Sequence, residues 1–221
     1  MTISSPRNLG HRLADCYASL SSASGVLPLL YLACPIPTMA LPFSLADFSR
    51  VSKFGLIVVL LLAFALRVWD LDARSLWFDE AVEYWSADVS LPALPKTVLT
   101  SYQPPLYTFL LHLWLKFGME PVWLRFLSVA LSMLTVAGIV TWAHRLFGLR
   151  GALIAGAITA VSPSEVRYGQ EVGEYALMIC ALTFTLTALD HALRNPRWKY
   201  WGLWGILSVV SIYSHYGTSV V

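Results

Sequence analysis

Residues Phe54–Trp69 read FGLIVVLLLAFALRVW, and just beyond them Ser75–Trp85 read SLWFDEAVEYW. The first stretch holds a single charge, Arg67, in sixteen positions. A run of this kind reads as a membrane-spanning helix, which needs about 20 mainly apolar residues. The second stretch sets Asp79, Glu80 and Glu83 among Trp and Phe directly beyond that helix. The fold and the chemistry both turn on why acids follow hydrocarbon so closely.

Composition extends the membrane reading to the whole chain. Hydrophobic residues make up 57% and charged residues 13% of 221, and the mean hydropathy is +0.63. An ordinary globular domain carries about 25% charged residues, so the solvent implied here is lipid. A net charge of +2, with no basic cluster interleaved with aromatics, excludes a nucleic-acid partner. Cys16, Cys34 and Cys180 are scattered without metal-type spacing and read as small buried hydrophobes.

Four further spans follow: Phe126–Ala143, Leu149–Val161, Tyr175–Leu189, and Trp201 to the chain end. The fold class is therefore all-α, a polytopic transmembrane bundle of about five spans. The Leu149 segment is rich in Gly and Ala, which allows close helix approach. Basic residues collect on the cytoplasmic side of membrane proteins. Placing Arg50 and Lys53, then His144, Arg145 and Arg150, then Arg194, Arg197 and Lys199 inside gives a simple path. The first span runs outward and the following spans alternate.

That path leaves Pro105–Gly118, PLYTFLLHLWLKFG, as an interfacial helix in the first outer loop. A short tilted span is the alternative. Residues 1–47 read as an N-terminal extension, interrupted by Pro28, Pro35, Pro37 and Pro42. A start at Met39 would leave most of it untranslated, and a cleaved signal peptide is the other reading. Residues 48–221 form the transmembrane domain. The chain stops inside an apparent span, which reads as a fragment of a longer polytopic protein.

Three polar constellations fall on the outer side of this path. Asp79 and Glu80 sit near a helix start, where the helix dipole favours negative charge. Two neighbouring carboxylates there can accept a proton from a hydroxyl, hold a divalent metal, or simply cap a helix. Trp77, Phe78, Tyr84 and Trp85 make this helix amphipathic and suited to lie on a membrane, with Glu83 on its solvated face. Tyr102-Gln103-Pro104-Pro105 forms an extended lead into the interfacial helix. SPSEVRYGQEVGEYAL supplies Glu165, Arg167, Gln170, Glu171 and Glu174 at the mouth of the bundle. Charge in that position is costly unless it faces water or a site. His215 closes the set as a metal ligand, a proton relay or a packing residue.

LWFDEA, YQPPLY, RYGQEVGEYAL and YSHYG, in this order and spacing, resemble the GT-C membrane glycosyltransferases. The nearest group is the protein-mannosyltransferase and aminoarabinose-transferase-like proteins, and the resemblance runs from about Leu56 to the end. It implies a GT-C-like bundle, incomplete here, that moves a sugar from a polyprenyl-phosphate carrier to an acceptor hydroxyl on a glycan, lipid or protein. The transfer takes place at the outer face with inversion. The resemblance also implies a divalent metal, Mg, Mn or Zn, and a multi-pass location. In a bacterium this is the inner membrane with the site toward the periplasm.

By the same resemblance, Asp79 matches the family's catalytic acid and Glu80 its acidic neighbour. Gln103 falls near a position that in some members binds metal. Glu171 and Tyr175 match the acid and tyrosine of a QE-A-R-x-Y pattern, and His215 a polar histidine. Substrate binding is thus expected of Gln103, Arg167, Gln170, Glu171, Tyr175 and Arg74, and metal binding of Glu171 and His215. One departure stands out: Gly173 occupies the place of that pattern's Arg. Arg167, Arg74, Lys96 or a metal must then meet the carrier phosphate. Two other readings are a truncated non-catalytic membrane protein or assembly partner, and a polytopic transporter. The transporter fits poorly, because no acid lies mid-span.

Overall fold

The computed structural model describes residues 50–100 and 104–220, all within the compact unit Phe48–Val221. The N-terminal extension and Gln103 lie outside the described residues. Every regular element among the described residues is helical, as the composition predicts: α1 (Arg50–Val68), α2 (Phe78–Ala87), α3 (Leu94–Thr100), α4 (Pro105–Trp114), α5 (Pro121–Val161), α6 (Pro163–Gly169), α7 (Glu174–Arg194) and α8 (Trp198–Ser214). A short 3₁₀ turn, Tyr216–Val220, follows α8.

Proline sets three of the helix starts. Pro105, Pro121 and Pro163 each occupy the first turn behind an extended residue, where a missing N–H leaves no bond unmade. The expected spans Phe126–Ala143 and Leu149–Val161 belong to one element, α5, which begins earlier, at Pro121. Gly148, at φ 70° and ψ −166°, breaks it into limbs 121–147 and 149–161. Only glycine occupies that conformation freely. Gly148→Ala is expected to destabilise the fold by about 1–3 kcal/mol, although its side chain would meet no neighbour. A thermal melt of the lipid-embedded protein checks this.

Pro121–Val161 and Glu174–Arg194 are long and apolar enough to cross a membrane, and Phe54–Val68 is apolar but shorter. Buried arginines show how the helices alternate. Arg67, near the end of α1, donates to the Thr159 and Ala160 carbonyls at 3.4 and 3.2 Å and to Ser132 Oγ at 2.7 Å. It thereby satisfies carbonyls that a helix C-terminus leaves unpaired and fixes the ends of α1 and α5 at one level. Arg125, near the start of α5, reaches the chain leaving α1 at the Leu71 carbonyl, 2.8 Å away. Helix α1 thus runs toward this end, limb 121–147 away from it and limb 149–161 back.

Val59 and Ala63 of α1 pack with Val136 and Ala160 of α5 in the lower core. Threonines in the long helices return their hydroxyls to the carbonyl four residues back, as at Thr135, Thr159, Thr183 and Thr185. That local bond removes the need for a polar partner in an apolar interior.

A second core caps the bundle, with Ala87, Tyr107, Leu111, Leu124, Val172 and Leu177. Helix α4 belongs to this cap. Its ten residues end at Trp114, short of the expected Gly118, and it buries Tyr107, Thr108 and Leu111. Trp114 and Trp123 stack at 4.8 Å and exchange indole N–H bonds with each other's carbonyls. That clasp closes the turn from α4 into α5.

Candidate active site

The site lies at the capped end, where the loop after α1, the start of α2, the start of α5 and the α6–α7 turn meet. Arg125 holds them together. It is 5% exposed, and all five of its N–H donors are engaged. Nε and Nη2 bind Glu80 at 2.9 and 2.7 Å. Nη1 binds the Leu71 and Arg74 carbonyls at 2.8 Å each, and Nη2 also reaches Ser75 O at 3.2 Å. Glu80 is equally saturated. It accepts the Val172 amide at 3.0 Å and, from within α2, the Trp77 amide at 3.4 Å. This last contact is the back-reaching half of a capping box. Glu80 is therefore a positioning residue, tying the first turn of α2 to the α6–α7 turn.

Asp79, its neighbour, is exposed. Its side chain has no hydrogen bond or ion pair among the described residues. Tyr175 lies within electrostatic reach of Asp79, Glu171 and Glu174. Its ring packs against Tyr168 at 4.8 Å and His215 at 5.8 Å. The structure thus gathers four residues expected from the sequence, Asp79, Glu171, Tyr175 and His215, around one exposed aromatic face.

Beside this face opens a cavity of about 870 Å³, with Trp77, Glu80, Arg74, Arg167, Gln170 and Glu171 in its wall. Arg74 is exposed, and its guanidinium has no partner among the described residues. Arg167 pairs with Glu171 at 2.9 Å. Gln170 spends its amide N–H groups on the Leu66 and Trp69 carbonyls at 3.1 and 2.8 Å, closing the end of α1. Lys96 lies on α3 and is not in the cavity wall. Gly173 is extended (φ −179°), and a Cβ there would meet nothing within 4 Å. The backbone does not require glycine at that position.

The expectation for Glu83 is corrected. It is 2% exposed rather than solvated, with Oε2 accepting Thr108 Oγ1 at 3.2 Å. Glu80 and Glu83 both face the protein, while Trp77, Phe78 and Trp85, the aromatics expected to lie on a membrane, are exposed. Burial first, and then Glu174, push the Glu83 carboxyl up to about 7, with the Thr108 bond pulling the other way. Burial likewise raises the Glu165 carboxyl, against the pull of Arg67.

A divalent metal finds no ready set of donors here. Glu171 is engaged by Arg167, and His215 Nδ1 accepts the Gly217 amide at 3.0 Å. Among the described residues no three His, Cys, Asp or Glu side chains gather as metal ligands.

Sequence reasoning missed Arg125 and the burial of Glu83. The signal for Arg125 was present, since it is one basic residue at the start of the longest apolar stretch.

Residues 102–221 match the family described as dolichyl-phosphate-mannose-protein mannosyltransferase. No curated protein and no solved structure matches the chain. The match spans more than half of the sequence and takes in the α6–α7 turn, Tyr175 and His215. The chain accordingly belongs to the dolichyl-phosphate-mannose-protein mannosyltransferase family of membrane glycosyltransferases.

Proposed function

We propose that this protein transfers a sugar from a polyprenyl-phosphate carrier to an acceptor hydroxyl in one inverting displacement. The acceptor oxygen bonds to the anomeric carbon as the bond from that carbon to the phosphate oxygen breaks. The acceptor proton passes to Asp79, and the electron pair leaves with the carrier phosphate. Asp79 suits the role because it is exposed, unpaired among the described residues and fixed through Glu80. Glu80 is saturated with donors and serves that geometry rather than the proton transfer.

The observation that carries this reading is the pairing of a carboxylate with a cavity that bears a guanidinium, both without a side-chain partner among the described residues. Both are displayed by one short segment, residues 74–79, which Arg125 clamps at the Arg74 carbonyl and at Glu80. Arg74 is the first group to receive the phosphate. Arg167 joins it readily, since its i,i+4 pair with Glu171 is exposed to water and only weakly held. Two guanidiniums thereby supply the charge that Gly173 does not. The Tyr168, Tyr175 and His215 face is suited to the sugar. Among the described residues no donor set for a metal is gathered, and each step is assigned to the chain's own side chains.

Support for an outward-facing site comes from the basic turns. Arg145 and Arg150 flank the Gly148 break, and Arg194, Arg197 and Lys199 flank the α7–α8 turn, both at the opposite end from Asp79. The positive-inside tendency makes that end cytoplasmic.

Arg74→Ala is the test of the phosphate assignment. Losing one charge-assisted hydrogen bond of about 1.5–3 kcal/mol is expected to lower kcat/KM about 10- to 100-fold. Initial rates over a range of polyprenyl-phosphate sugar in proteoliposomes measure it. A kcat/KM unchanged within about twofold would remove Arg74 from the site.

A further inference from the structure

Two glutamates three residues apart on α2 meet opposite surroundings. Glu80 has a guanidinium and two amides. Glu83 is equally buried, but among the described residues its Oε1 has no hydrogen-bond partner and its Oε2 has only the Thr108 hydroxyl. The groups around it can be named element by element. From α4 come Thr108 and the fully buried Tyr107, whose hydroxyl is shared with Ser128 at 2.9 Å. Further along α4, His112 Nδ1 faces the Ala87 carbonyl at 2.9 Å. From α7 comes Glu174, itself 9% exposed. No cation figures among the influences on Glu83, and Arg125 has no donor left over.

An ionised carboxylate does not persist in such surroundings without a cation, donors for both oxygens, or a proton. Among the described residues donors are missing here, and no third ligand makes a metal site. We propose that Glu83 is a proton-binding site whose neutral acid locks α2 to α4 and to the start of α7, and so keeps Asp79 within electrostatic reach of Tyr175. When Glu83 ionises, repulsion from Glu174 loosens the first turns of α2 and α7 from each other. Glu83 is then a positioning residue, one helical turn behind the proposed base.

The direction of the pH effect follows from burial and from Glu174, which raise the carboxyl from its ordinary 4.5 to about 7. A group raised in the folded state contributes stability in full below about pH 4.5. That contribution is lost as pH rises through about 7.

The proton site does not depend on the transferase reading; only its effect on turnover does. Isotope-edited infrared spectra of the full chain in nanodiscs read the proton directly. Wild type is expected to show a carboxylic-acid carbonyl band that fades with a midpoint near pH 7, absent in Glu83→Gln. Glu174→Gln is expected to move that midpoint down by about one unit. Between acidic and mildly alkaline pH the wild type should lose several degrees of melting temperature. Glu83→Gln, which mimics the neutral acid, should lose distinctly less, the remainder coming from other raised carboxyls such as Glu165. Its transfer rate should also lose the fall above neutrality that is expected of wild type. Identical bands, or identical melting slopes, in wild type and Glu83→Gln overturn the proton site. A titrating band with parallel pH–rate profiles overturns its link to Asp79. A chain inactive at every pH overturns the transferase reading, while the infrared titration still decides the proton site.

Discussion

Arg125→Met is expected to destabilise the protein by about 3–5 kcal/mol, the cost of breaking a buried ion pair from one side. The Arg125 side chain is 6% exposed and that of Glu80 1%. Removing the guanidinium leaves a buried carboxylate with only the Val172 and Trp77 amides, and withdraws the donor from the Leu71, Arg74 and Ser75 carbonyls. At about 2–4 °C per kcal/mol for a domain of this size, the melting temperature should fall by about 10 °C. The double variant Arg125→Met, Glu80→Gln is expected to recover a large part of this. The buried charge is then gone, and the Gln carbonyl still accepts from Val172. A double variant no more stable than the single one would show that Arg125 acts through the loop carbonyls alone.

Asp79→Asn should do the reverse, leaving stability intact while removing activity. Asp79 is exposed and has no side-chain partner among the described residues, so its charge contributes little to the fold. As the group that takes the acceptor proton, it should account for about 10²- to 10⁴-fold in rate. Glu80→Gln should lower activity and melting temperature together, because it acts through the position of α2. This contrast separates a base from a positioning residue. Equal melting temperatures in Asp79→Asn and wild type, together with the rate loss, are the expected pair of results.

The hydrocarbon runs made the long helices legible, because each must keep its backbone bonds internal in lipid. Even the Gly148 break was foreshadowed by the basic turn around it. The polar motifs were legible as a set, since alternating helices bring every second connection to one end of the bundle. What could not be read was that Glu83 joins Glu80 on the inner face of α2. In water, acids at positions 80 and 83 would face out and Trp77, Phe78 and Trp85 would face in. Beside a membrane the outward face can be the apolar one, and the same periodicity then serves the opposite orientation.

Long-range partners were equally hidden. Arg125 lies 45 positions from Glu80, and a lone arginine before an apolar run looks like a flanking charge. Arg67 sits inside such a run. Only the meeting of α1 with the end of α5 shows that it serves the Thr159 and Ala160 carbonyls. Gln170, expected to bind substrate, is engaged by the end of α1 for the same reason: helix ends at one level leave carbonyls to satisfy.

The fate of labelled mannose on polyprenyl phosphate, incubated with proteoliposomes of the protein and a hydroxyl-bearing acceptor, tests the central claim most directly. Wild type is expected to release polyprenyl phosphate and to deliver the label to the acceptor with its anomeric configuration inverted, and Asp79→Asn to do neither. Label retained on the carrier by wild type, or equal release by Asp79→Asn, would contradict the account.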